Sequence, residues 1–427
     1  MTHSIDLQEL KERIALNFKR FDDHYYRIEG IFQEKGADWP GDKEGRALLA
    51  FVSHYRISGE KIPCMEPFLA ALPEKTDGKM YFESAMPSAI VEQQLSGHNW
   101  MLRGLCEHYE AFHDDFSLKA LMAITEALYL PMKGRFEQYP TERNTENKGG
   151  VSGTARELVN GWLLSSDTGS VFMSVDGLSH VYAITKDERV LALLEEMTDV
   201  FTRLDKVGMK LQTHCSLTAG RGMMRLYQAT KDPAYLEKAK AVFHLYVNGG
   251  GMTKTYQNLN WWGRPETWTE PCAVIDSLML GMELFKVTGE ESYRRLAVRI
   301  WLNGLATAQR DNGGAGTDKI VLPGQPYLAA DCYEAYFCCT MRLAEGLRYV
   351  WENKDLMTYE SGNGIEKDEF GRYFDGDLLL SELEGEAAEK YSVGTVEKDG
   401  HKLVPIPKYY RIPKAEIYQL RQRILFD

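Results

Sequence analysis

One short pattern recurs along this chain and restricts it to stacked helical hairpins. It reads Tyr182-Ala-Ile-Thr-Lys-Asp187, Tyr227-Gln-Ala-Thr-Lys-Asp232 and Phe285-Lys-Val-Thr-Gly-Glu290, with a looser form at Tyr109-Glu-Ala-Phe-His-Asp114. Each instance is the end of one helix, a tight turn and the start of the next. The flanking segments, such as Gly222-Met-Met-Arg-Leu-Tyr227 and Tyr235 to Phe243, place apolar residues at three- and four-residue intervals, the signature of amphipathic helices. Successive turns are 45 residues apart from Thr185 to Thr230 and 58 from Thr230 to Thr288, about one helical hairpin plus a variable loop. The expected fold is all-α, an (α/α)6 barrel spanning residues 1–360. Strand-like alternation is sparse until Gly364, so a small irregular or β appendage is expected over 361–427.

The bulk numbers agree with a folded protein of enzyme size: 427 residues, 44% apolar and 26% charged. A net charge of −12 argues against nucleic acid as a partner, since that needs clustered Lys and Arg. No apolar run reads as a secretory signal or a membrane span. Seven scattered cysteines do not form a disulfide framework, so a reducing cytoplasm is the expected location. The sequence leaves a homodimer open. Gly149-Gly150-Val-Ser-Gly153 lacks the Lys-Ser or Lys-Thr that a phosphate loop needs.

The chemistry concentrates at two places. Glu270-Pro271-Cys272 sets a carboxylate and a thiol two positions apart, and the adjacent pair Cys338-Cys339 follows sixty-six residues later. Pro271 disfavours helix at Glu270 and pushes it extended, which lets both side chains project toward one metal. Together the four make a zinc site of Cys₃Glu type, in which a metal-bound thiolate is a ready nucleophile. Buried cysteines acting as small hydrophobes are the plain alternative.

Thr269-Glu270-Pro271-Cys272-Ala273 resembles the Thr-Glu-Thr-Cys-Ala segment of glycoside hydrolase family 127, the β-L-arabinofuranosidases. Phe337-Cys338-Cys339 with the following helix is similar to that family's second segment. Ser96-Gly97-His98 and Thr213-His214 resemble its two pocket motifs, within a match running with gaps from about residue 40 to 350. The resemblance implies Zn2+ held by Glu270, Cys272, Cys338 and Cys339, with Cys338 as nucleophile of a retaining glycosidase. It also implies sugar contacts from His98 and His214, and the indoles of Trp261 and Trp262 are candidates to stack on a sugar face. The cytoplasmic expectation points to a small oligosaccharide or glycoside as substrate.

Departures fall on substrate-contacting positions. The family's general acid/base corresponds to Lys254, whose ordinary pKa is unsuited to the task, which leaves Glu266 as the nearest carboxylate. A second family histidine aligns near Ser170-Val171 and is missing. Two other readings therefore stand beside the glycosidase: a zinc-containing carbohydrate-binding protein without catalysis, and a sugar epimerase or isomerase using His98 and His214 as an acid/base pair.

Overall fold

The computed structural model describes residues 1–32, 39–143, 155–253, 255–265, 267–320, 328–330, 332, 334–360, 364–367, 373–382, 396–405 and 411–412. Lys254, Glu266, Asp331 and the glycines of 149–153 lie outside the described residues. The main helices are α1 Leu7–Arg20, α2 Asp42–Ser58, α3 Met65–Lys75, α4 Glu92–Phe112, α5 Asp115–Ile124, α6 Ser174–Thr185, α7 Glu188–Arg203, α8 Thr213–Thr230, α9 Pro233–Asn248, α10 Pro271–Thr288, α11 Glu291–Arg299 and α12 Cys339–Glu352.

The recurring pattern is a turn device with one hydrogen-bond scheme. At the ends of α6, α8 and α10 the residue after the threonine (Lys186, Lys231, Gly289) is left-handed, and its N–H donates to the carbonyl of Tyr182, Tyr227 or Phe285. Each threonine hydroxyl donates back one turn: Thr185 to Val181, Thr230 to Leu226 and Thr288 to Leu284. The same oxygen accepts the N–H of the acid that follows, Asp187, Asp232 or Glu290. Asp187 and Asp232 then cap the next helix, accepting from Arg189 N and Ala234 N, each at 2.9 Å. Replacing Asp232 with Ala is expected to cost about 1 kcal/mol. An unchanged urea midpoint for that variant would remove the cap from this account.

The chain divides into two compact units, residues 18–249 with 261–264, and residues 1–17, 250–260 and 265–427. Residues on both sides of the expected boundary at 360 fall in the second. In the first unit α2, α4, α6 and α8 pack side by side as an inner row, with α3, α5, α7 and α9 each against the inner helix of its hairpin. The inner helices cross closely at glycines. A Cβ on Gly45 would stand 2.1 Å from Met101 N, and one on Gly222 would stand 2.6 Å from Asp176 N, so only hydrogen fits.

A correction to the strand reading lies in the same unit. Ala155–Val159 and Trp162–Ser165 form an antiparallel hairpin long before Gly364. Its two-residue turn is Asn160-Gly161, both with positive φ, a dipeptide that signals such a hairpin and that the helical punctuation obscures.

In the second unit α10 packs against α11 and α12. Thr2–Ser4 pairs antiparallel with Thr358–Glu360. The expected C-terminal strands are present as a five-stranded antiparallel sheet in the order Val396–Lys398, His401–Pro405, Leu378–Glu382, Tyr373–Asp375, Ile365–Lys367. Tyr373, Leu380 and Leu403 form its core. Asp377 ties it to α11, accepting from Arg299 Nε at 2.8 Å and Arg295 Nη2 at 3.2 Å.

Candidate metal centre

Two helix starts build the site. Pro271 occupies the first turn of α10, where its missing N–H costs nothing. Glu270 is the N-cap with φ −125° and ψ 111°, extended as its position before proline requires, and its side chain makes no capping hydrogen bond. The convergence of Glu270 and Cys272 differs in kind from strand alternation. Cys272 is already helical, and its Sγ lies within 4.8 Å of a Glu270 carboxylate oxygen across the N-cap and first turn. The Glu270 N–H donates to Asn258 Oδ1 at 2.7 Å, which fixes the cap residue from outside the helix.

At the second start Cys338 is the N-cap of α12 and Cys339 its first residue. Thr340 Oγ1 donates to Glu334 Oε1 at 2.9 Å, and Asn312 Nδ2 donates to Glu334 Oε2 at 2.7 Å. Glu334 thus holds the approach to α12, and Gly314 makes room for its carboxyl. Both cysteine segments sit at the positive ends of helix dipoles, which favours thiolate over thiol.

The sulfur geometry is that of a donor set. Sγ of Cys272 and Cys339 are 3.6 Å apart, Sγ of Cys338 and Cys339 are 3.4 Å apart, and all three lie within 4.8 Å of one another. A tetrahedron with zinc–sulfur bonds of about 2.3 Å has edges of about 3.8 Å. A disulfide would bring two sulfurs to about 2.05 Å, and all seven cysteines are free. Crowding by the Cys272 and Cys338 thiols, with burial added, pushes the Cys339 thiol well above its usual pKa. A cation among the sulfurs would relieve that crowding. The three thiols therefore fit a divalent metal.

One turn below the thiols the helices are clamped by charge. Arg342 Nη2 on α12 meets Asp276 Oδ1 on α10 at 2.5 Å, with both side chains fully buried. Asp276 follows Cys272 by four residues and Arg342 follows Cys338 by four, so the pair lies beneath the thiols on both helices. That i, i+4 spacing is the one signal of the clamp that the sequence carries.

Other expected site residues lie in the first unit, and several serve packing. His98 is fully buried within α4. Its Nδ1 is 2.8 Å from the Gln94 carbonyl and its Nε2 accepts from Phe82 N at 2.9 Å, so backbone holds both ring nitrogens. Burial lowers its pKa to about 4 and keeps the ring neutral. The expectation of sugar contacts from His98 is corrected accordingly. His214 lies in the first turn of α8, 1% exposed, stacked on Trp100 with ring centroids 5.8 Å apart. Trp261 and Trp262 are both fully buried, which corrects their reading as a sugar platform. Trp261 bridges Gln212, Trp262 N donates to Leu211 O, and the Trp262 indole N–H reaches Ser216 Oγ at 3.5 Å. They anchor their loop to the segment entering α8. Cys332 is partly exposed, and its carbonyl accepts from Arg310 Nη2 at 2.9 Å.

No family profile matches this sequence, and no curated protein matches it. Solved structures do match by shape. A GH127 β-arabinofuranosidase has a TM-score of 0.55 at 13% identity, covering 90% of this chain and 66% of its own. A GH127 β-L-arabinofuranosidase from Geobacillus stearothermophilus T6 has 0.53 at 10% identity, covering 90% and 70%. A cellobiose 2-epimerase from Bacillus thermoamylovorans B4167 has 0.50 at 14% identity, covering 81% and 97%. The chain thus spans about two thirds of the arabinofuranosidases' length. The fold is the all-α, α/α-barrel fold that these glycosidases and epimerases share. No helix among the described residues is long and apolar enough to cross a membrane.

Proposed function

We propose that the protein is a retaining glycoside hydrolase of the β-L-arabinofuranosidase kind, acting on small oligosaccharides or glycosides. One observation carries this reading: of three cysteines whose sulfurs lie within 4.8 Å of one another, Cys272 and Cys339 are buried, whereas Cys338 is partly exposed. Glu270, Cys272, Cys338 and Cys339 would hold Zn2+, which when bound keeps the thiols deprotonated at neutral pH. The Cys338 sulfur attacks the anomeric carbon while the bond to the leaving oxygen breaks, and Glu266 gives that oxygen its proton. Water then displaces the sulfur from the same carbon, and Glu266 takes up the water's proton, restoring the starting configuration. The epimerase reading asks His98 to exchange protons, and both of its ring nitrogens are already engaged.

The test joins metal analysis to mass spectrometry after exposure to a furanoside-configured epoxide inactivator. The expected result is about one zinc per chain with the label on the peptide containing Cys338. Zinc without label would replace the glycosidase with the non-catalytic zinc protein, and absence of any bound metal would remove the centre itself.

A further inference from the structure

The same three thiols are also built as an oxidation site, an inference that rests on reading Cys338 as the exposed sulfur of the centre. Burial is graded across them, with Cys272 and Cys339 at 0% and 1% exposure and Cys338 open in part. A small oxidant arriving from solvent meets Cys338 first. Two thiols stand ready behind it. Cys339 is the nearer, at 3.4 Å, but it is the adjoining residue. Consecutive Cα atoms across a trans peptide are about 3.8 Å apart, shorter than the roughly 4.4–6.8 Å that disulfides span. Cys272 carries no such restriction, because it comes from another helix and its sulfur is within 4.8 Å. The buried Asp276–Arg342 pair holds the two helix starts in register, so the sulfurs close on each other without relative sliding of α10 and α12.

We propose that Cys338 and Cys272 form a redox-sensitive pair that a hydroperoxide closes into a disulfide between the starts of α10 and α12. The Cys338 sulfur attacks one peroxide oxygen and the O–O bond breaks, leaving a sulfenic acid on Cys338 and releasing the other oxygen as water or an alcohol. The Cys272 sulfur then attacks the Cys338 sulfur, the S–O bond breaks, and the departing hydroxide takes the Cys272 proton to leave as water. Two thiol hydrogens and one peroxide thus become one disulfide. Two of the four donors are consumed, so a metal held there is released, and reduction restores the set. Oxidation would switch the centre off reversibly and spare Cys338 from the irreversible acids.

The experiment uses the purified full chain with its metal, titrated with hydrogen peroxide. Metal release is followed with a chromophoric chelator, and peptides are mapped without reduction. A Cys272–Cys338 linked peptide, loss of about one metal per linkage, and reversal of both by dithiothreitol with added zinc would establish the pair. Sulfinic or sulfonic acid on Cys338 with Cys272 still open to alkylation would overturn it, as would a Cys338–Cys339 linkage. Cys64, which is partly exposed and lies in the other unit, reports oxidation without a partner in the same digest. The readout is separate from turnover. A linked peptide in protein that the furanoside inactivator fails to label retires the glycosidase and keeps the pair, and a labelled protein that forms no link does the reverse.

Discussion

Substituting Asp276 with Ala is expected to lower stability by about 3–5 kcal/mol, because it takes from the fully buried Arg342 guanidinium one of its two carboxylate partners. Asp276 accepts from Arg342 Nη2 at 2.5 Å, and Arg342 Nη1 also meets Glu345 Oε2 at 2.9 Å along α12. Glu345 keeps part of the charge balanced, which places the loss toward the lower end of that range. The clamp lies one turn beneath the thiols, so the variant should also hold zinc more weakly at a temperature where it is still folded. Arg342→Met in the same background removes the guanidinium but also takes from the buried Glu345 its ion-pair partner, so the double variant should recover little of the stability and none of the metal affinity. Chemical denaturation of the single and double variants checks the first claim, and zinc titration against a competing chelator checks the second. Equal zinc affinity in wild type and Asp276→Ala would mean that the ion pair does not position the helix starts.

Acidification should unfold the chain well above the range where carboxylates protonate. Five described histidines in the first unit are buried, and three of them have strongly lowered pKa values. Burial lowers the pKa of His54 to about 3 and of His98 to about 4, and burial with the nearby Arg225 and Arg103 lowers that of His180 to about 4. His180 sits between the Arg103 guanidinium and the Glu110 carboxylate, its Nε2 3.0 Å from Glu110 Oε1, an arrangement that suits the neutral ring. The sign follows from proton uptake. A histidine in the unfolded chain binds its proton near pH 6.5, whereas these rings do so only near pH 3 to 4, so unfolding takes up protons in between. Stability is therefore lost as pH falls from about 6.5 toward 4, by roughly 2 kcal/mol per ring between pH 7 and pH 5.

Glu44 works the other way, because burial raises its carboxyl to about 7 and the fold retains a proton that the unfolded chain loses near 4.5. Its contribution improves by roughly 2 kcal/mol over the same interval, leaving a net loss of roughly 4 kcal/mol. Denaturation midpoints at pH 7 and pH 5 measure this. His54→Phe should flatten the dependence by about one ring's share. A midpoint that holds constant over the interval would show that the rings already carry their protons in the fold.

Much of the architecture was legible because its determinants are local. The threonine, the left-handed residue and the acid of each turn hydrogen-bond within a few positions of one another, so the pattern at Thr185, Thr230 and Thr288 names the helix ends from the sequence alone. Pro271 likewise dictates the extended backbone of Glu270 through a steric contact between neighbours. The Asn160-Gly161 hairpin is equally local, a dipeptide turn signal set between helical segments.

What the sequence by itself determined, then, is the succession of helical hairpins and the order along the chain of one carboxylate and three thiols, since turn chemistry and side-chain type are properties of residues and their near neighbours. Only the tertiary structure decided which of those residues act and which merely pack. His98, Trp261 and Trp262 are residue types that bind sugars elsewhere, and here burial and backbone partners enclose them. Cys338 differs from Cys339 by one position at the start of α12, yet the first residue is partly exposed and the second buried. The clamp of Asp276 on Arg342 joins residues sixty-six positions apart. Exposure, orientation and the pairing of distant charges arise from packing between helices, and no short window of sequence contains the partners that set them.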